Sequence, residues 1–303
     1  HIPKIKREHS VDYLGAFLLV ASVVPILLTL SVYGPEHGWG DSRTILYFVI
    51  GVALGVLFYF QEKRAKEPIL PLHLFKNHTF NITSLLGAVI GAGMFGAIVM
   101  LPLYLQVVKG YSASSAGLKL IPLMLGIVSM SIFSGKYISK HGHYKRFPIL
   151  GTAIMTIGLL AMTKLEISTQ YWEVSIFAIL VGMGLGLSMQ TIVIALQNAV
   201  EMRDMGVATS SNTFFRSLGA VFGTAFFGSI LTNRLAHYMQ SGFTELAKSN
   251  PQALANVDPA KLKALSSNST IIKTLPMDVQ HTVLQAFVNS FHFVFYSAAP
   301  ITF

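Results

Sequence analysis

Residues 172–200 read WEVSIFAILVGMGLGLSMQTIVIALQNAV, a run in which Glu173 is the single charged side chain. As an α-helix it would be about 44 Å long at 1.5 Å per residue. The hydrocarbon core of a bilayer is about 30 Å thick and is crossed by about 20 helical residues. The run does not alternate apolar with polar, so it does not read as a barrel strand. A lipid-exposed strand edge would also leave its backbone donors and acceptors unpaired, whereas a helix satisfies its own. The stretch predicts a transmembrane helix.

The same pattern recurs on both sides of it. Apolar spans are expected at 12–32, 44–61, 80–107, 117–139, 147–164, 172–200, 206–233 and 284–303. The fold class expected is therefore an all-α membrane protein, a bundle of eight apolar helices with the last cut short. Of the 303 residues 52% are apolar and only 12% charged, against about 25% charged in soluble domains. Pro25, Pro102 and Pro122 lie inside the spans and predict kinks, while Pro148 sits where a helix start tolerates it.

The formal net charge of +9 does not point to nucleic acid, because the basic residues sit in loops between apolar runs and not on one amphipathic face. There is no cysteine, which excludes disulfides, thiolate metal sites and cysteine nucleophiles. Lys4, Lys6 and Arg7, then Lys63, Arg64, Lys66 and Lys76, then Lys136, Lys140, Lys145 and Arg146 fall in alternate connections. By the positive-inside rule these face the cytoplasm, so the chain start is expected to be cytoplasmic in a multi-pass plasma-membrane protein. Trp39 and Trp172 then fall near the outer interface. The polar stretch 234–283 reads as an extracytoplasmic connector of short pieces, with Asp258-Pro259 and Pro276 as helix starts. Both ends read as cuts through a longer protein.

Several motifs have more than one physical reading. Gly182-Met-Gly-Leu-Gly186 imitates part of a dinucleotide fingerprint, but it lies inside an apolar span, where close helix packing explains it. Gly87/Gly91 and Gly219/Gly223 show the same small-residue spacing. His141-Gly-His143 has no carboxylate or cysteine beside it and reads as a solvated loop rather than a metal site. No cofactor is expected. Arg216 falls about ten residues into its span. It faces either a wet cavity or partner, or else snorkels to the headgroups. Gln190, Gln197, Asn198 and Asn212 either line an inner vestibule with it or make interhelical hydrogen bonds. No carboxylate lies deep inside a span; Asp12, Glu173 and Glu201 sit at ends. A membrane-embedded enzyme would need a facing cluster of histidines and carboxylates at depth, and none is visible.

Leu101-Pro-Leu-Tyr-Leu-Gln106, Lys109-Gly-Tyr-Ser112, Ala116-Gly117 and Leu120-Ile-Pro122 lead into Ser134-Gly-Lys-Tyr-Ile-Ser-Lys-His-Gly-His-Tyr-Lys-Arg146. Further on, Gly206-Val-Ala-Thr-Ser-Ser-Asn-Thr-Phe-Phe-Arg-Ser-Leu-Gly219 precedes Gly223 and Gly228. Together these resemble the major facilitator superfamily, and within it the fourteen-helix drug:proton antiporters. The resemblance implies helices seven to fourteen: residues 1–79 hold two linking helices, and residues 80–303 a C-terminal six-helix domain of two inverted repeats. It also implies a missing N-terminal half of the same polypeptide, carrying the acidic coupling residues.

On that resemblance Gly135, Lys140, Gly142, Lys145 and Arg146 form a cytoplasmic gating motif in which Ser139 stands where the motif has Asp. Gly219 and Gly223, with Gly87 and Gly91, are helix-packing glycines. The substrate-cavity candidates are Met94, Phe95, Tyr104, Gln106, Met124, Met189, Gln190, Asn212, Phe215 and Arg216. The methionines and phenylalanines among them suit a soft, repackable lining. The function implied is export of amphipathic drug-like compounds in exchange for protons, by alternating access in a lipid bilayer. A dedicated metabolite or siderophore exporter of the same fold is the alternative.

Overall fold

A computed structural model describes residues 12–65, 68–252, 272 and 274–302. Its helices are α1 (Tyr13–Leu28), α2 (Gly34–His37), α3 (Ser42–Arg64), α4 (His78–Val107), α5 (Ala113–Leu118), α6 (Ile121–His141), α7 (Arg146–Met162), α8 (Tyr171–Ala199), α9 (Met205–Ser249) and α10 (Met277–Thr302). No strand occurs among the described residues. The all-α membrane class is the observed one.

Among the described residues, five segments are long and apolar enough to cross a membrane: α3, α4, α5 with α6, α8 and α9. α1 and α7 are apolar but shorter. α1 reaches span length by running through a π-helical turn, Thr29–Tyr33, into α2. α10 carries Gln285, Asn289 and His292 between its apolar residues, yet Val283, Val288, Phe291, Val294, Phe295 and Ala298 are fully buried. It packs on α7.

Two features differ from the sequence expectation. The fourth span is broken at Lys119–Leu120, so Pro122 opens α6 in the first turn instead of kinking a continuous helix. Its missing N–H is harmless there. The segment 234–283 is not a connector throughout, because α9 continues to Ser249. Leu235, Met239, Phe243 and Leu246 recur at helical spacing and are half-buried, and Asn250 Nδ2 donates to the Asp278 carboxylate at 2.9 Å. That stripe favours continued helix over a mobile piece. α10 begins at Met277, straight after Pro276, one of the two helix starts expected in that stretch. Asp258-Pro259 lies outside the described residues.

The chain divides into two compact units: residues up to 86 with 193–215, and residues 87–192 with those from 216 on. In the first, α1 lies against α3, where a Cβ on Gly51 would meet Ser22 O of α1 at 2.9 Å. Leu74, Phe80, Leu196 and Ala208 form a buried cluster there. The second holds α5–α7, α10 and the larger parts of α4, α8 and α9.

Candidate functional site

The second unit is assembled by glycine seams. A Cβ at Gly91 would come within 3.0 Å of the Arg216 carbonyl oxygen, and one at Gly219 equally close to that of Ala88. At Gly223 it would meet Ala92 Cα at 2.7 Å. α4 and α9 therefore touch backbone to backbone. Gly87, one turn before Gly91, is buried. The glycines of Gly182-Met-Gly-Leu-Gly186 split between two neighbours: Gly182 and Gly186 abut Leu123 and Ile127 of α6, while Gly184 abuts Gly151 and Met155 of α7. In lipid, where no hydrophobic force draws helices together, such close approach supplies dispersion contact.

The cavity candidates have unlike surroundings. Met94, Met189 and Gln190 are half-buried in the second unit, and Met124 is 44% exposed. Phe95 lies in α4, its side chain outside the described residues. Asn212 is 2% exposed and donates to the Thr83 carbonyl at 2.8 Å, so in the first unit it fastens α9 to α4. Phe215 packs on the Leu74–Phe80 cluster. Arg216 is half-buried, and no carboxylate among the described residues makes an ion pair with it. Tyr104 is fully buried and Gln106 borders a cavity, both at the end of the helices away from the basic loops.

At the basic end, α6 ends on Gly142, whose φ of 73° and N–H bond to the Ile138 carbonyl at 2.7 Å make it the left-handed cap. A glycine takes that conformation without the strain a Cβ would bring. Gly135 is looser: a Cβ there would meet only the Gln190 side chain, at 3.7 Å. Lys140, Lys145 and Arg146 are exposed. Arg146 borders a cavity of about 350 Å³ with Tyr137, His143, Phe147 and Leu150. The His141 ring stacks on Tyr137 at 4.4 Å. No cluster of three potential metal ligands occurs among the described residues.

Sequence reasoning passed over Glu62. It is 4% exposed at the end of α3 and accepts from the backbone N–H groups of Ile69 and Leu70 at 3.3 and 3.0 Å. Beside it, Asp12 caps α1 and accepts from Gln61 Nε2 at 3.1 Å. The only linear signal was an acid at a span boundary.

The opposite end carries a second arrangement that no motif announced. Three consecutive carbonyls of the α7–α8 turn are held by three side chains: that of Leu165 by His292 Nε2, that of Glu166 by the Tyr104 hydroxyl at 2.7 Å, and that of Ile167 by Lys109 Nζ at 2.6 Å. Burial pushes the Lys109 ammonium pKa down, and the negative charge of Glu173 partly opposes this. Nearby, the Lys119 ammonium sits 3.7 Å from the Tyr171 ring centroid and 4.4 Å from that of Tyr111. Such cation–π contacts contribute about 0.5–2 kcal/mol.

Residues 13–224 match the family described as Major Facilitator Superfamily. An uncharacterized MFS-type transporter of Mycobacterium tuberculosis is 34% identical over 99% of this chain and 42% of its own length. Multidrug transporter protein MdtP of Bacillus subtilis is 35% identical over 90% of the chain and 55% of its own length. A tetracycline resistance determinant of Streptomyces rimosus is 30% identical over 94% of the chain and 86% of its own length. The chain thus spans about half the length of the first two. A bacterial homolog of the human lysosomal transporter Spinster, inward-facing and unoccupied, superposes with a TM-score of 0.53 at 14% identity, over 95% of this chain and 65% of that one.

Proposed function

This chain belongs to the Major Facilitator Superfamily, and from that membership we propose that it forms part of a secondary active transporter that exports amphipathic drug-like compounds in exchange for protons. It is a multi-pass membrane protein of a transporter family, not an enzyme. The names carried by its Bacillus and Streptomyces relatives support drug export. The relatives' greater length supports a second half that completes the cavity. We place the protein in the plasma membrane with its chain start cytoplasmic.

The observation that carries the mechanism is the glycine seams joining α4 to α9 and α8 to both α6 and α7. Alternating access in this architecture is rocking of one bundle against another about a midplane site. A bundle rocks as a body only when its helices do not slide, and backbone-to-backbone seams resist sliding. Met94, Met124, Met189, Gln190 and Arg216 are this unit's contribution to the cavity wall. The loop closed by Gly142, with Lys140, Lys145 and Arg146, is the gate at the basic end.

The test is drug uptake by the full-length protein in proteoliposomes under an imposed pH gradient. Uptake is expected to rise with the gradient and collapse when an ionophore dissipates it. Uptake indifferent to the gradient removes the antiport claim. Residues 1–303 alone are expected to show no flux.

A further inference from the structure

We propose that the cavity beside Lys109, at the helix ends away from the basic loops, binds the oxyanion head of an amphiphile while the adjoining apolar wall takes its tail. The cavity is about 580 Å³ and is lined by residues 106–113, Ile272, Gln280 and Leu284. That volume is within the range of small-molecule sites.

The charge balance points to an anion. Among the described residues, Lys109 is the one charged side chain lining the cavity. An ammonium has three N–H donors, and one is committed to the Ile167 carbonyl, a neutral acceptor. Glu173 acts on Lys109 through space, but no carboxylate among the described residues makes an ion pair with it. Gln106 and Gln280 add amide donors from two different helices, and Ser112 adds a hydroxyl. Among the described residues the set is cationic and donor-rich, with no acid in the lining.

The position points to an amphiphile. Lys109 lies two residues beyond Val107, where α4 ends. Val107, Val108 and Leu284 line the same cavity. Polar donors and apolar wall thus meet where a membrane-spanning helix stops, which is where a headgroup and the top of its acyl chain lie. The head comes from one of two sources, an anionic phospholipid of the surrounding leaflet or a free anionic amphiphile. The inference stands independently of which compound, if any, is transported.

The test is native mass spectrometry of the full-length protein released from micelles containing phosphatidylglycerol, phosphatidylcholine or dodecyl phosphate. Preferential retention of phosphatidylglycerol over phosphatidylcholine, with dodecyl phosphate a weak competitor, assigns the lipid source. Equal competition by dodecyl phosphate assigns the free amphiphile. In either case Lys109→Met is expected to lower anion retention about five-fold, the effect of one basic side chain near a membrane surface. Lys109→Arg and the exposed-site control Lys164→Met should retain it. Gln280→Met, which keeps the lysine and its carbonyl bond, should weaken retention by a smaller factor and serves if Lys109→Met does not fold. Retention without preference for the anion overturns the proposal. So does a preference that survives both Lys109→Met and Gln280→Met.

Discussion

The hydroxyl of Tyr104 donates to the backbone carbonyl of Glu166 at 2.7 Å, tying the end of α4 to the turn between α7 and α8. The ring itself is fully buried and meets Phe291 of α10 edge-on at 5.9 Å. Tyr104 therefore joins three segments of the second unit. Tyr104→Phe keeps the ring contact and strands the carbonyl, at a cost of about 1–3 kcal/mol. The expected result is a lower apparent Tm in detergent with an unchanged substrate profile. A changed profile at unchanged Tm would return Tyr104 to the cavity wall.

The glycine seams differ sharply in how much room they leave. A Cβ at Gly219 collides with the Ala88 backbone, whereas at Gly228 nothing lies within 4 Å. Gly219→Val is expected to lose both folded yield and transport, since backbone cannot move aside as a flexible side chain can. Gly228→Ala should be close to neutral. Size-exclusion profiles and uptake assays of the two variants side by side check the contrast.

The two glycines of the proposed gate should also part company. At Gly142 the left-handed φ of 73° makes alanine cost about 1–2 kcal/mol. Gly135 is helical and meets only the flexible end of Gln190, so alanine there should be tolerated. Equal sensitivity of apparent Tm to the two substitutions would contradict the assigned cap.

Asn212→Leu removes the donor to the Thr83 carbonyl. Interhelical hydrogen bonds in membranes average about 0.6 kcal/mol and reach about 1.7, so a small drop in apparent Tm is expected. With 2% of its surface exposed, Asn212 should not alter the substrate profile of the proposed transporter; a shifted profile would place it in the pathway.

Lys109 gives a pH dependence with a definite sign. Burial lowers its pKa in the folded protein below the ordinary value of 10.5, so between the lowered value and 10.5 the unfolded chain binds more protons. Stability contributed by this group therefore rises with pH across that window. Below it, the charged ammonium bears its full burial penalty. Apparent Tm measured from neutral to alkaline pH should fall less steeply in the wild type than in Lys109→Met, which lacks this compensating gain. Identical slopes would show that Lys109 is solvated as an ordinary surface lysine.

Much of the bundle was legible in order of residues because hydrocarbon demands length and apolarity together, and both are linear properties. The runs that became α3, α4, α8 and α10 were each visible. The tail of α9 was missed because its apolar positions, Leu235 to Leu246, are too sparse to read as a span, although their spacing suits a helix packed on one side. Pro122 was misplaced because a proline that kinks and one that starts a helix look alike until the Lys119–Leu120 break is seen. For the site, the packing role of Gly182 to Gly186 was readable. The captures of Leu165, Glu166 and Ile167 carbonyls were not, since a backbone acceptor leaves no mark in a sequence.

Sequence alone determined that this is a helical membrane protein with the hallmarks of one transporter family, because the bilayer selects for residue type over a fixed length. Tertiary structure decided which neighbour each glycine touches, that Asn212 and Tyr104 are bound internally, and that Lys109 stands beside a cavity with no acid among the described residues of its lining. Those outcomes depend on which helices meet and at what rotation, and a few ångströms of approach set them.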